Sequence, residues 1–308
     1  MTNRNGTTRH VVMMSGGLSS YETLRRTVAR YGAASVVALF ANTRFEDRDL
    51  YRFLREAAAH LGVEIVEVSD PQGRNPFDVF DDVGFLGNSR LSPCSKILKQ
   101  IPAMLWLIEN CEPASTIVYI GIGWDEQERI PGIRSGHSHT LKGCRKTALC
   151  KSLFTEEGRL PGPGCGNLLP EADAWRVEFI LTEPPYFDRD KVVAELAEVG
   201  IAEPAMYREG YAHNNCQGLC VKAGQAQWAL TLRIHPDRYA YAEEREQRFR
   251  REKNPKATIL RDWSDGGRPL TLTEFRERIE AQNAAQPSLL DLIDENDWGG
   301  CGCYPGAA

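Results

Sequence analysis

Two groups of residues in this chain of 308 could do chemistry: the hexamer Ser15-Gly16-Gly17-Leu18-Ser19-Ser20, and nine cysteines that cluster unevenly. The hexamer follows the apolar run Val11-Val12-Met13-Met14 and leads into a helix-like stretch from Tyr21 to Tyr31. A strand that turns through glycine and serine into a helix aims backbone N–H groups and hydroxyls at one spot, which suits a phosphate. The glycines let the backbone approach an anion, and the helix N-terminus favours negative charge by roughly 0.3–1 kcal/mol. No lysine follows the glycines, so the Walker pattern fails, and Gly-x-Gly-x-x-Gly is absent here. A turn that needs small residues only for packing is the alternative.

Among the cysteines, His213-Asn214-Asn215-Cys216-Gln217-Gly218-Leu219-Cys220 is the strongest signal. Two thiols at that spacing can share a helical face or a loop-helix junction, and soft thiolates favour iron–sulfur clusters or zinc. Cys301 and Cys303 sit among glycines near the C-terminus, where they could close a site or act as a mobile sulfur carrier. Cys144, Cys150 and Cys165 have no standard zinc spacing and would need His137 or His139 as a further ligand. Cys111 ends a helix and reads as packed; His10, His60 and His235 read as surface residues; His213 could orient a cluster ligand or touch substrate.

Composition bounds the setting for these groups. An apolar fraction of 42% and a charged fraction of 26% are those of an ordinary globular protein. No run reaches the roughly 18 apolar residues of a membrane span, and the N-terminus lacks a signal-peptide core, so a cytoplasmic location away from membranes is expected. Cysteines in a reducing compartment point to metal or sulfur chemistry before disulfides. A net charge of −5 argues against a broadly basic nucleic-acid surface while leaving room for a local patch.

The elements that must position the motifs alternate. Ser35–Thr43 reads as a buried strand, Arg48–Leu61 as a helix closed by Gly62, and Val63–Val68 as a third strand. After a polar stretch from Ser69 to Pro93 come a helix from Cys94 to Asn110 and a strand from Thr116 to Gly123. Residues 131–173 read as an irregular excursion rich in glycine, proline and cysteine. A strand at Trp175–Leu181 and a helix from Asp188 to Val199 follow. Gln225–Arg251 reads as helical, its mixed charges forming a solvated face. The expected fold is α/β, a doubly wound, mostly parallel sheet with ligands at its carboxyl edge. Residues 1–200 form the nucleotide-binding domain in this reading, and 201–308 a mainly helical, cysteine-containing region.

The hexamer resembles the PP-loop, Ser-Gly-Gly-x-Asp-Ser, of the ATP pyrophosphatase and adenine nucleotide alpha-hydrolase superfamily, with Ser19 in place of the aspartate. That superfamily holds PAPS and APS reductases, tRNA thiolases and ATP-dependent amide synthetases. Further segments are similar to the PAPS and APS reductase family: Cys94 through Pro102 matches Cys-x-x-x-x-Lys-x-x-Pro, and Ile120 through Arg129 is similar to Gly-Ile-Arg-x-x-Glu-x-x-x-Arg, with Gly123 at the first arginine position and one residue fewer before Arg129. The stretch from Tyr207 to Gly224 adds a late cysteine pair.

The resemblance implies an adenine nucleotide alpha-hydrolase-like fold of the HUP type. It places ATP against Ser15, Gly16, Gly17, Ser19, Ser20, Phe40, Asn42, Gly121 and Glu126. Lys99 and Arg129 are the cations suited to neutralise phosphate, each with a surface-charge alternative. Asp125 and Glu126 suit Mg²⁺, with plain strand-end solvation as the alternative. By analogy with APS reductases, which hold a 4Fe-4S cluster on two cysteine pairs, Cys94, Cys216, Cys220 and the tail residue Cys303 are the expected cluster ligands.

The expected function is ATP-dependent adenylation of an acceptor with release of pyrophosphate, leading to sulfur transfer. Ser15, Lys99, Arg129, Cys301 and Cys303 are its catalytic candidates. The acceptor class implied is nucleic acid, and the sulfur donor a protein such as a cysteine desulfurase. The rivals are a PAPS or APS reductase acting through a C-terminal cysteine, and a non-catalytic module that binds nucleotide and cluster.

Overall fold

The computed structural model describes residues 8–88, 91–137, 139–140, 167–168 and 174–285. In chain order its strands are β1 (Arg9–Met14), β2 (Val36–Asn42), β3 (Ile65–Ser69), β4 (Thr116–Tyr119), the short antiparallel pair β5 (His139–Thr140) and β6 (Asn167–Leu168), and β7 (Arg176–Glu178). The central sheet has five parallel strands in the order β3-β2-β1-β4-β7. Strand order reverses at β1, whose Val11 is in register with Val37 on one side and Val118 on the other. An α/β sheet opens a crevice at such a reversal, outside the carboxyl ends of the strands.

Side chains alternate across a strand, so each β1 residue commits to one face of the sheet. Val11 and Met13 pack with Leu39, Val118, and Ala103 and Leu107 of α4 (Ile101–Asn110), together with Ile133 of α5 (Ile130–His137). Val12 and Met14 pack on the opposite face with Phe40, Leu24 of α1 (Leu18–Tyr31), and Leu50 and Leu54 of α2 (Arg48–Leu61). Two covered faces explain why the strands read as nearly continuous apolar runs. The expected doubly wound architecture is the one observed.

Beyond the sheet, α6 (Arg189–Glu198) packs on α1 and α2 through Val192 and Leu196. After the single turn α7 (Ala205–Arg208), a second core is built from α8 (Gln225–Ile234), α9 (Pro236–Glu252) and α10 (Leu272–Ala285), together with the hairpin β8 (Leu260–Asp262) and β9 (Arg268–Leu270). Phe45, Phe77, Phe80 and Leu86 join this core, so it draws on residues before 200 as well as after.

Several local expectations differ from the structure: among them, the strand expected at Trp175–Leu181 is only Arg176–Glu178 before a 3-10 turn at Ile180–Thr182, and α5 occupies the start of the expected excursion. The polar stretch from Ser69 to Pro93 contains α3 (Pro76–Val83), started by the Asn75/Asp78 capping box and closed by left-handed Gly84. The stretch from Gln225 to Arg251 is two helices, divided at His235 before Pro236, which cannot continue the hydrogen-bond ladder. Its charges are not all solvated. Glu246 is fully buried and accepts from the Ile259 and Leu272 N–H groups at 2.9 and 2.7 Å, and Arg245 reaches Asp78 and Asp81 at 2.8 and 2.9 Å. His10 is buried rather than on the surface, stacked on Tyr31 at 3.8 Å with Nδ1 2.9 Å from the Tyr119 hydroxyl.

Candidate functional site

A cavity of about 410 Å³ opens at the carboxyl ends of β1, β2 and β4, where strand order reverses. Its apolar wall includes Met14, Phe40, Ile120 and Ile122, and its polar wall Ser15, Ser19, Ser20, Lys99 and Arg129. That division suits a ligand with a flat apolar end and an anionic end.

The hexamer is the hinge of this site. Gly16 has φ +80°, and a Cβ there would stand 2.4–2.8 Å from three atoms of Leu50. Only glycine lets the loop cross so close to α2. Gly17 caps α1 and, as glycine, offers its first-turn amides no capping side chain. Within the loop, Ser20 Oγ accepts from the Ser15 N–H at 3.2 Å and donates to the Gly17 carbonyl at 2.8 Å, while Ser15 Oγ lies 3.2 Å from Ser20 Oγ. The two serines hold the turn open for an anion at the helix N-terminus. Gly121 lets β4 end against α1, since a Cβ there would meet the Ser19 backbone at 3.0 Å.

The far wall comes from Arg189 and the late segment 207–215, in which the sequence marked only His213 as a substrate contact. Tyr207 on α7 receives the Leu18 N–H at 3.4 Å, and the Arg189 guanidinium lies 4.6 Å over the Tyr207 ring. Asn214 Nδ2 donates to the Gly16 carbonyl at 2.8 Å, tying the late segment to the loop. Tyr207, Arg189, His213 and Asn214 all line the cavity. They lie nearly 200 residues from the loop in sequence, and no spacing rule connects them.

The candidate residues distribute unevenly. Ser15, Gly17, Ser19, Ser20, Phe40, Gly121, Glu126, Lys99 and Arg129 line the cavity. Gly16 lies behind the loop against Leu50. Asn42 is turned away: its Oδ1 accepts from the Arg44 N–H and the Tyr51 hydroxyl at 2.7 and 2.8 Å, and its Nδ2 donates to Glu67 at 2.9 Å. It shapes the turn after β2. Asp125 and Glu126 both border the cavity, and hard carboxylates beside a phosphate site suit Mg²⁺. Glu126 also pairs with Arg129.

Lys99 lies in a π-helical turn, Ser95–Gln100, that precedes α4. Such turns re-aim side chains relative to a regular helix. Lys99 lines the nucleotide-sized cavity and also a second one of about 30 Å³, bordered by Cys94, Cys216 and Cys220. Cys216 and Gln217 have φ +50° and +55°, values that non-glycine residues adopt only when their surroundings hold them. The neighbouring Cys220 thiol, burial and the negative charge of Glu46 push the Cys216 thiol well up, against the opposing pull of Lys99.

The three cysteines thus share a cavity, but as placed they do not fit a 4Fe-4S cluster. About 30 Å³ holds roughly two waters, not an eight-atom cube of iron and sulfur. Among the described residues no group of three or more His, Cys, Asp or Glu is placed to hold a metal ion. The remaining expected ligand, Cys303, lies outside the described residues, as do Cys301 and the excursion cysteines Cys144, Cys150 and Cys165. Cys111 is buried at the end of α4, as its position suggested.

No helix among the described residues is long and apolar enough to cross a membrane. No protein-family model matches the sequence, and no curated protein matches it. Among solved structures, the chain is similar to a phosphoadenylyl-sulfate reductase from Candida auris, solved as a phosphate complex: 13% identity, TM-score 0.37, covering 67% of this chain and 80% of that one. It is also similar to the U34-tRNA thiolase NcsA from Methanococcus maripaludis, solved with its 4Fe-4S cluster: 14% identity, TM-score 0.37, covering 79% of this chain and 73% of that one.

Proposed function

We propose that the chain is an ATP pyrophosphatase that adenylates an acceptor oxygen, releases pyrophosphate, and so activates the acceptor for sulfur transfer, with nucleic acid as the acceptor class. The observation that carries this reading is the pair of adjoining cavities, one bordered by the phosphate-type loop and one by three thiols, with Lys99 in the walls of both.

In the first step the acceptor oxygen attacks the α-phosphorus. One P–O bond forms, the bond to the bridging oxygen breaks, and pyrophosphate leaves with the electron pair. Such a step asks the protein for positioning and charge neutralisation rather than covalent chemistry. The first-turn amides of α1, with the Ser15 and Ser20 hydroxyls, hold the phosphates, while Arg129 and Lys99 offset the charge that develops on the leaving group. Met14, Phe40, Ile120 and Ile122 exclude water around the base. Asp125 and Glu126 would hold Mg²⁺, which neutralises phosphate charge when bound. AMP on the acceptor is then a good leaving group for a sulfur nucleophile, and Cys94, Cys216 and Cys220 support that step occurring on this chain.

The test supplies Mg-ATP, a ³⁵S-labelled persulfide donor and single-stranded nucleic acid. AMP, pyrophosphate and labelled nucleic acid are expected together. Sulfite from PAPS or APS, with no turnover of ATP, would establish the reductase reading instead.

A further inference from the structure

Glu46 belongs to none of the motifs read from the sequence, yet its side chain is only 1% exposed and its two oxygens take three donors. Oε1 lies 3.0 Å from the Thr43 hydroxyl and 3.1 Å from Lys99 Nζ, and Oε2 accepts from the Cys216 N–H at 2.7 Å. The donors arrive from three places: the turn after β2, the π-helical turn before α4, and the left-handed cysteine turn. A buried carboxylate is costly unless its lone pairs are filled, and a left-handed turn at non-glycine residues needs an external hold. One carboxylate meets both needs.

Lys99 also faces the nucleotide-sized cavity, so an anion there competes with Glu46 for the ammonium. We infer that Glu46 is a positioning residue that couples occupancy of the nucleotide cavity to the conformation of the Cys216–Cys220 turn, through its shared hold on Lys99 and the Cys216 N–H. This rests on the nucleotide reading of the cavity. When phosphate draws Lys99 away, Glu46 keeps only Thr43 and the Cys216 N–H, and the cysteine turn answers. Coupling of this kind is reciprocal, and typical values span about 5–150-fold.

The experiment measures two rates in the full chain by mass spectrometry: iodoacetamide alkylation of Cys216 and Cys220, and acetylation of Lys99. In the wild type, saturating Mg-ATP should slow Lys99 acetylation and change cysteine alkylation by about five-fold or more. In Glu46→Gln both basal rates should rise, and ATP should still protect Lys99 but no longer alter the cysteines. A Glu46 that merely supports the fold would leave the ATP response in place, and that result overturns the inference. So does a wild type in which ATP protects Lys99 without affecting the cysteines.

If ATP fails to protect Lys99 in the wild type, the nucleotide reading fails. Glu46 is then judged by the ligand-free rates, where a joint rise supports the link and a rise in one residue alone refutes it. Should Glu46→Gln not fold, Lys99→Gln takes its place. It leaves the Cys216 N–H untouched, so faster cysteine alkylation supports the link and unchanged alkylation refutes it.

Discussion

The Cys216 N–H donates to Glu46 Oε2 at 2.7 Å across 170 residues of sequence. Through that bond the late cysteine turn, part of the second core, is pinned to the turn that follows β2. The same carboxylate holds Lys99, so the wall between the two cavities is built around one buried charge and its donors.

The loop glycines separate stability from binding. Gly16→Ala must adopt φ +80° and overlap Leu50, so it should cost roughly 2–5 kcal/mol, read as a lower urea midpoint. Gly17→Ala has an ordinary φ of −95°, and its Cβ crowds the Tyr207 hydroxyl at 2.9 Å while touching Ser15 Oγ at an ordinary 3.6 Å. It should fold normally and raise KM for ATP; a normal KM would move the phosphates away from this turn.

Arg129 offers the cleanest test of charge neutralisation because its partner Glu126 is 38% exposed, and pairs of that kind contribute at most about 1 kcal/mol to stability. Arg129→Gln should lower pyrophosphate release by about 10²–10³-fold in a protein that still folds, the scale for removing one charge-stabilising group. Equal rates would return Arg129 to a surface role.

Cys94→Ser, Cys216→Ser and Cys220→Ser should each reduce sulfur transfer to background while leaving AMP and pyrophosphate formation within a few-fold of wild type. Loss of both activities together, in a protein that still folds, would place the thiols in the adenylation step.

Glu246 should give the second core a characteristic pH response. Burial raises its carboxyl to about 7 despite two backbone donors. With the folded value above the unfolded one near 4.5, the contribution is fully present below about pH 4.5 and declines as pH rises to about 7. The span corresponds to about 3 kcal/mol as an order of magnitude. Thermal unfolding should show a higher midpoint at pH 5.5 than at pH 8, and Glu246→Gln should flatten that difference. An unchanged slope in the variant would assign the response to other groups.

Much of the sheet was legible because a strand covered on both faces must be largely apolar, and Val11–Met14, Val36–Ala41 and Ile117–Ile120 are. Helix α2 was read to the residue because Gly62, at φ 65°, marks its end. Helix α3 was missed because its eight residues carry three aspartates, whose work is capping and pairing with Arg74, Arg245 and Arg248. The loop, Lys99 and Arg129, which line the cavity, were legible because each sits in a short motif. Tyr207 and Arg189 were not, because their role depends on a docking of distant segments that no local pattern encodes. The bonds of Asn42 were hidden for a related reason: the polar residue at the strand end serves its own turn, while its neighbours Phe40 and Ala41 line the cavity.

An ATP pyrophosphatase with its site at the carboxyl end of β1 splits ATP between its α and β phosphates. The direct measurement is to purify the protein without oxygen, add Mg-ATP with nucleic acid and a persulfide donor, and resolve the nucleotide products. AMP and pyrophosphate in equal amounts, abolished in the Ser15→Ala/Gly17→Ala double variant, are the predicted result. ADP with phosphate, or AMP and pyrophosphate formed unchanged by that variant, would contradict it.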